Sequence, residues 1–341
     1  AVWTPGAGTV EMTANNALLY TPFNHLTING GTTTIGANTT INGDLNIVSG
    51  TLSLGAFDFT VIGNSVINGT LSCENITGAK VFTGNVTIGN GGLWNSAVNE
   101  DFSLGGSFQN NGSMTAGGGT YHFTGVNRTF SGIEPIGIAN LNISGNYTNL
   151  GTLTVSTTLA GTGSLIQATN ATLNMAGSSE IASLLATASL NNVNYTGAAQ
   201  TVKPIVYHNL GLSGSGGKSL TDVSSIYGNL TTAGTVMVTN KMNLVIGGDL
   251  NVGAGTEVRM AGFDFTVNGD THIDGLLGCT HTTDGIKTFA GDFNLNSSGY
   301  WDIPVDEDFT FGGNWKKNGS NTTGWGMWTF TGIGKTFSGT A

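Results

Sequence analysis

The densest group of chemically capable side chains is a cluster of carboxylates near the end of the sequence. Its members are Asp302, Asp306, Glu307 and Asp308. Carboxylate oxygens at this density are the ligands that hard cations such as Ca²⁺ prefer. Their spacing matches no calcium-binding loop, so we expect solvated surface charge, with a calcium site as the weaker alternative. We expect no other metal and no cofactor.

Cys73 and Cys279 are the two cysteines of the chain, and they occupy corresponding places in a long internal repeat. Three states are compatible with the sequence: buried free thiols, disulfides between neighbouring molecules, or one bridge within the chain. An internal bridge needs Cα atoms within about 7 Å of each other. Stacked repeats would meet that condition only if they lay side by side.

Asn-x-Ser/Thr sequons recur along the sequence and are candidate sites of N-linked glycosylation. The modification requires an exporting host and exposed loops. The candidates are Asn38, Asn68, Asn85, Asn111, Asn146 and Asn318. A chain rich in Asn and Thr also produces such motifs by chance, so the sequence leaves their use open.

Groups suited to catalysis are sparse in this sequence. A polysaccharide-cleaving site on a β-helix needs clustered carboxylates, usually with Arg or Lys, on one face of the coil. Here the 10 basic residues are dispersed along the chain. The sequence also has no Gly-x-Ser-x-Gly motif and no phosphate-binding loop. We therefore predict that the protein is not an enzyme.

The composition excludes several classes of partner. Charged residues are only 9% of the chain, and 20 acidic against 10 basic residues give a formal net charge of −10. No basic patch is available to bind a phosphate backbone, which argues against nucleic acid. No apolar run approaches the ~20 residues of a membrane helix, so we expect no membrane span. The chain starts at Ala1 rather than Met, as a secreted protein does after signal removal.

Short alternating segments are the elements that must position these groups. Apolar residues alternate with Thr, Ser or Asn for four or five residues, and each segment ends at Gly or Asn-Gly, a pattern typical of short half-buried strands. Segments 50–54 and 69–73 begin 19 residues apart. We predict an all-β protein, a parallel β-solenoid with about 20 residues in each turn, or rung. Gly and Asn would supply the positive-φ corners.

A long repeat relates the two ends of the sequence. Cys73 corresponds to Cys279 and Glu100 to Glu307, and the offset is 205 to 207 residues throughout the matching region. We predict a first module over residues 1–134, spacer rungs of the same architecture over 135–200, and a second module over 201–341. We call the first and last of these the first repeat and the second repeat.

One element closes both repeats. Residues 123–132 read FTGVNRTFSG and residues 330–339 read FTGIGKTFSG. After the first of these elements comes a strand of the form Asn-Leu-x-Ile-x-Gly, at residues 140–145. The sequence stops at Ala341, where the same strand is due. We expect either more chain or a second molecule to pair with the final rung, since neither end carries a polar cap.

The repeated Asn-Leu-x-Ile-x-Gly, Gly-Asn-Leu and Gly-Thr-Leu-x-Leu units cover most of the chain. In these units the sequence resembles the repeat regions of secreted bacterial and archaeal β-solenoid surface proteins, which are adhesin-like, autotransporter-passenger-like, or sheath and surface-layer proteins. The resemblance implies an extracellular, structural or adhesive role.

From these patterns we expect a secreted structural protein of the cell envelope. It would assemble with copies of itself into a sheath, surface layer or filament, and envelope polysaccharide is a candidate partner. The alternatives are an adhesin stalk that displays a binding domain, and a β-helix that binds or cleaves polysaccharide. Aromatic residues crowd the end of the chain, and we expect most of them in the core. Any that are exposed would serve a subunit interface or sugar stacking.

Overall fold

The computed structural model describes residues 6–18, 22–279 and 284–340. Within these ranges the chain forms 44 β-strands and no helix. The strands of the first third are β1 (Thr9–Met12), β2 (Asn16–Leu18), β3 (His25–Ile35), β4 (Thr39–Ile41), β5 (Leu45–Ser53), β6 (Phe59–Val61), β7 (Ser65–Ile67), β8 (Thr70–Ser72), β9 (Lys80–Phe82), β10 (Val86–Ile88), β11 (Leu93–Ser96), β12 (Phe102–Leu104), β13 (Phe108–Asn110), β14 (Ser113–Ala116) and β15 (Thr120–Phe123).

The next strands are β16 (Arg128–Ser131), β17 (Ile136–Ile143), β18 (Asn146–Asn149), β19 (Thr152–Ala160), β20 (Ser164–Gln167), β21 (Thr172–Met175), β22 (Ser178–Ser179), β23 (Ser183–Leu185), β24 (Asn192–Tyr195), β25 (Gln200–Thr201), β26 (Asn209–Leu212), β27 (Ser215–Leu220), β28 (Ser225–Ile226), β29 (Leu230–Thr232) and β30 (Thr235–Asn240). The last are β31 (Leu244–Ile246), β32 (Leu250–Val252), β33 (Glu257–Met260), β34 (Phe265–Val267), β35 (Thr271–Ile273), β36 (Leu276–Cys279), β37 (Lys287–Phe289), β38 (Phe293–Leu295), β39 (Tyr300–Ile303), β40 (Phe309–Phe311), β41 (Trp315–Lys317), β42 (Ser320–Thr323), β43 (Trp328–Phe330) and β44 (Phe337–Gly339).

Within the described residues, the strands form the rungs of a parallel β-solenoid, about 16 in number and about 20 residues apart along the sequence. Leu45 pairs with Ser65, and Leu230 pairs with Leu250, so each strand meets its counterpart one rung later. The predicted fold class and rung length are therefore confirmed. In the described ranges we find no helix long and apolar enough to cross a membrane.

The chain packs as two compact units. Unit 1 comprises Ala1–Leu173 and Glu180–Leu184, and unit 2 comprises Asn174–Ser179 and Leu185–Ala341. The division into modules 1–134, 135–200 and 201–341 concerns the sequence repeat, and it stays a prediction.

Each unit contains three stacks of parallel strands, and one rung contributes a strand to each stack. The stacks of unit 1 include β4-β6-β9-β12-β15-β17-β19, β5-β7-β10-β13-β16-β18-β20 and β5-β8-β11-β14. Those of unit 2 are β26-β29-β32-β35-β38-β41-β44, β28-β31-β34-β37-β40-β43 and β25-β27-β30-β33-β36-β39-β42. Corresponding side chains of successive rungs therefore lie above one another, at the ~4.8 Å strand spacing.

Alternation along each strand places apolar side chains in the interior. In β10 the side chains of Val86 and Ile88 are buried while Thr87 between them is half-buried. One aromatic residue departs from the alternation, which would turn both Phe57 and Phe59 inward. Phe59 is fully buried, but Phe57 is 38% exposed. Strand β6 begins only at Phe59, so Phe57 belongs to the preceding turn, where strand alternation does not apply.

Polar side chains at one corner form what we call the corner ladder. There, a side-chain acceptor of one rung bonds the backbone N–H of the corresponding residue in the next rung, as from Asn64 N–H to Asp44 Oδ1 at 2.8 Å. The acceptors in unit 1 are His25, Asp44, Asn64, Asn85 and Ser107. Those in unit 2 are Asn209, Asn229, Asp249, Asp270, Asp292 and Asn314. The ladder satisfies corner backbone groups that strand pairing leaves free.

Candidate functional site

Three lysine side chains are buried in the solenoid, although lysine is almost never fully buried unless it is paired. Lys80 and Lys218 are 1% exposed, and Lys287 is fully buried. We call their surroundings lysine turns: the Lys80 turn (residues 77–80 with Glu100), the Lys287 turn (residues 284–287 with Glu307) and the Lys218 turn (residues 197–200 with Lys218). They are the strongest candidates for chemistry in the described chain.

The Lys80 turn encloses an ammonium group in oxygen atoms. Lys80 Nζ donates to the carbonyl oxygens of Thr77 at 2.8 Å and Gly78 at 2.9 Å. Its third oxygen neighbour is Glu100 Oε1, at 3.5 Å, on the next rung. Three acceptors match the three donors of an ammonium group. The lysine thus joins its own turn to the adjacent rung.

The Lys287 turn repeats this arrangement in the second repeat. Lys287 Nζ donates to the carbonyl oxygens of Asp284 at 2.9 Å and Gly285 at 3.4 Å. Glu307 Oε1 lies 3.1 Å from Nζ, so its ion pair is shorter than that of Lys80. Gly285 has φ +84°, and a Cβ atom there would lie 2.4 Å from the carbonyl carbon of Phe263. Glycine is therefore required for the turn to pass this close to the preceding rung.

Burial changes the acidity of the groups in these two turns. It raises the pKa of the Glu100 and Glu307 carboxyls, while the lysine beside each one opposes the shift. It also raises the pKa of the Cys73 thiol, and that of Cys279 to about 12. Both thiols are consequently poor nucleophiles, because the thiolate is the reactive form.

The Lys218 turn differs in the partner of the ammonium group. Lys218 Nζ donates to the carbonyl oxygens of Gly197 at 2.9 Å and Ala198 at 2.6 Å. Its third acceptor is Gln200 Oε1 at 2.5 Å, a neutral amide in place of a carboxylate. None of these three acceptors carries a charge opposite to that of the buried ammonium group.

A shallow, open groove lies beside each lysine turn. The groove at the Lys80 turn has a volume of about 400 Å³, that at the Lys287 turn about 420 Å³ and that at the Lys218 turn about 360 Å³. Small molecules can reach the outer side of each turn through its groove.

The part of the chain that the structure describes brings no three His, Cys, Asp or Glu side chains into a metal-binding group.

No protein-family model, curated protein or solved structure matches this chain.

The four carboxylates of the acidic cluster each have a different protein partner. Asp302 Oδ2 binds the Arg259 guanidinium at 2.6 Å. The buried carboxylate of Glu307 faces Lys287. Asp306 Oδ1 accepts the backbone N–H of residue 325, and Asp308 Oδ1 that of residue 327, both at 2.7 Å. The candidate calcium ligands thus bind separate partners and do not point toward one common position.

Both cysteines are free thiols in the interior. Cys73 is 3% exposed and Cys279 is 1% exposed. The structure agrees with the first of the three states left open by the sequence. A disulfide between molecules would require the surrounding strands to open, and that alternative stays a prediction.

The candidate glycosylation sites lie on the outside of the solenoid to different extents. Four of the asparagines are exposed, namely Asn38, Asn68, Asn85 and Asn146, and two are half-buried, namely Asn111 and Asn318. Asn38 and Asn85 use Oδ1 to accept a backbone N–H of the next rung. These contacts fix the side chain without using its Nδ2 atom, to which a glycan would be attached.

The aromatic residues near the end of the described chain divide between the interior and the surface. Trp301, Phe309 and Phe311 are buried, as we expected for most of this group. Trp325 is 94% exposed and Phe330 is 41% exposed. The sequence alone did not separate these two sets.

Sequence reasoning missed the lysine turns, although a signal was present. Lys80 and Glu100 lie 20 residues apart, and so do Lys287 and Glu307, which is one rung in each repeat. Two residues of opposite charge repeated together at the rung spacing indicate a contact between rungs. The Lys218 turn occurs once and gave no such signal.

Proposed function

We propose that this chain is a secreted structural protein of the cell envelope that assembles with copies of itself into a sheath, surface layer or filament. The observation that carries the proposal is an apolar face on the rung that contains β43 and β44. Phe337 is 65% exposed and Phe330 41%. We call residues 325–337 of this rung the apolar face.

The first repeat indicates what covers such a face. Phe130 corresponds to Phe337 and is fully buried. It stacks on Tyr147 of the next rung, with ring centroids 4.8 Å apart and planes at 22°. The face that Phe337 presents is therefore complementary to another rung of the same kind. We propose that a rung of a second molecule occupies it, since every molecule of this chain carries such rungs.

Solenoid geometry makes this contact strong. A rung that adds to the apolar face would pair its backbone with β43 and β44 and bury aromatic side chains in the same step. The aromatic area would contribute roughly 25 cal/mol for each Å² removed from water. The contact joins unlike surfaces of two molecules, so it extends into a filament unless its geometry closes into a ring.

Electron microscopy and light scattering of the purified chain test the proposal. We expect ordered polymers from the wild-type chain, and smaller species from Phe337→Lys. The matched control is Ile76→Lys, because this side chain is also exposed, at 64%, but lies in another rung. The control should polymerise like wild type.

Two results would contradict the proposal. A wild-type chain that stays monomeric at high concentration would favour the adhesin-stalk alternative. Equal polymerisation of all three proteins would show that the apolar face is not part of the contact between molecules. If further residues of the same polypeptide cover the face, a longer chain should remain monomeric where the 341-residue chain polymerises.

An extracellular location is part of the proposal. It is supported by the exposure of the sequon residues Asn38, Asn68, Asn85 and Asn146. Glycosidase treatment of native material should lower its mass if these sites are used. The same exposed sites would be unmodified in a protein that never leaves the cytoplasm.

A further inference from the structure

The Lys218 turn places an amine against a carboxamide in the interior of unit 2. We propose that Lys218 and Gln200 condense into an isopeptide bond that joins two adjacent rungs covalently. The inference is independent of the proposed assembly, since it concerns a modification within one chain.

Strand register brings the two residues face to face. Gln200 in β25 pairs directly with Lys218 in β27. The distance from Lys218 Nζ to Gln200 Oε1 is 2.5 Å. Because a C=O bond is about 1.23 Å long, Nζ lies within roughly 3.7 Å of the Gln200 Cδ atom. That separation is close to the 3–3.5 Å of a near-attack arrangement.

Hydrogen bonds hold and polarise the Gln200 carboxamide. Its Nε2 donates to the carbonyl oxygens of Met175 at 3.0 Å and Gly177 at 2.7 Å. Its Oε1 accepts the Gly197 N–H at 2.9 Å as well as a proton of Lys218. When Lys218 attacks, the Gly197 N–H remains as the donor that faces the negative charge developing on Oε1 of the tetrahedral intermediate.

The other lysine turns show why this lysine should react. Lys80 and Lys287 each face a buried carboxylate, which stabilises the ammonium form and keeps the amine unreactive. Lys218 faces a neutral amide, and burial lowers its pKa to about 8, so some neutral amine exists near neutral pH. Condensation also removes a buried charge whose three hydrogen-bond acceptors are all neutral.

The reaction needs no other reagent. The Nζ lone pair of neutral Lys218 attacks Gln200 Cδ and forms the new C–N bond. The bond from Cδ to Nε2 then breaks, and the proton released by Nζ moves to the leaving nitrogen. The products are a secondary amide and one ammonia molecule, which can leave through the groove that Gln200 and Lys218 line.

Mass spectrometry of the full chain tests the inference. The wild-type protein should be lighter than its sequence by about 17 Da, the mass of one ammonia. Trypsin should fail to cut after Lys218, because its amine is acylated. Chymotrypsin, which cuts at Tyr207 between the two residues, should release a branched peptide that contains both Gln200 and Lys218.

Variants separate this bond from other losses of ammonia. Lys218→Arg and Gln200→Glu should both have the full mass of their sequences, the latter because its carboxylate would form an ion pair as in the other two turns. Full mass in the wild type with cleavage after Lys218 would overturn the inference. So would a loss of about 17 Da that fragmentation assigns to an Asn-Gly succinimide. Neither result depends on whether the variants fold.

Discussion

The two repeats fill the same aromatic position with different chemistry. In the first repeat the Trp94 indole N–H donates to the Tyr121 hydroxyl at 3.1 Å. In the second repeat Trp328 replaces Tyr121 and stacks on Trp301, with ring centroids 5.2 Å apart and planes at 10°. Among the described residues, the Trp301 indole nitrogen has no hydrogen-bond partner. A buried hydrogen bond has thus been exchanged for aromatic contact.

The lysine–glutamate pairs, in contrast, are the same in both repeats. Each lysine reaches two consecutive carbonyl oxygens of its own turn and the glutamate one rung later. The aromatic core therefore differs between the repeats while the lysine turns do not, which shows where the solenoid tolerates substitution. Stacked apolar side chains are interchangeable if they fill the space, whereas a buried charge requires its partner in one place.

The largest expected effect comes from breaking one of these ion pairs. Lys287→Met should lower the free energy of unfolding by about 3–5 kcal/mol, because Glu307 would stay buried without its counter-ion. Lys80→Met should have a smaller effect, since the Lys80 pair is longer at 3.5 Å. Urea denaturation followed by circular dichroism measures both.

Two further variants control this experiment. Adding Glu307→Leu to Lys287→Met should restore most of the loss, because no buried charge then remains. Lys316→Met, at an exposed lysine, should change little. A loss below about 1 kcal/mol in Lys287→Met would show that the pair does not hold the turn.

The aromatic cores should respond unequally to one substitution. Trp94→Phe removes a hydrogen bond to Tyr121 as well as part of a ring, whereas Trp301→Phe removes an indole N–H that is not bonded. Trp94→Phe should therefore cost about 1–2 kcal/mol more than Trp301→Phe. Denaturation midpoints of the two variants compare them directly. Equal costs would mean that the hydrogen bond contributes nothing beyond packing.

The stability of both repeats should also depend on pH. Burial raises the pKa of the Glu100 and Glu307 carboxyls, so the folded chain binds their protons more tightly than the unfolded chain. The free energy of unfolding should fall as pH rises from the ordinary glutamate value of about 4.3 through the raised folded values. The double variant Glu100→Gln with Glu307→Gln should flatten that slope, and an unchanged slope would contradict the assignment.

The smallest effect is expected at the outer ion pairs of the second repeat. Arg259 contacts Glu257 and Asp302, whereas the first repeat has Ser53 in its place. Arg259→Ser should cost no more than about 1 kcal/mol, because these groups are partly exposed. The cost should shrink further at high salt. A loss as large as that of Lys287→Met would place these charges among the main supports of the fold.

The fold class followed from the sequence because strand alternation and rung spacing are local patterns. The lysine turns could not be predicted in this way, because a lysine in a sequence is expected at the surface. Only the strand register shows which residue faces it one rung later. Phe57 was misplaced for a related reason, since the boundary of β6 decides whether it alternates. Alternation of inward and outward residues could have predicted which carboxylates of the acidic cluster are buried. Glu307 faces inward, and its neighbours Asp306 and Asp308 face outward.

The corner ladder gives the solenoid a direction. Along it, the earlier residue supplies the acceptor and the later residue the backbone N–H, as in Asp44 with Asn64 and Asp249 with Asp270. A rung that has already formed thus offers an oriented acceptor to the rung that follows, but not to the rung before it. The amino side of each rung in the ladder therefore presents a backbone donor, and the carboxyl side presents a side-chain acceptor. The two sides of a ladder rung thus differ chemically and are complementary to each other.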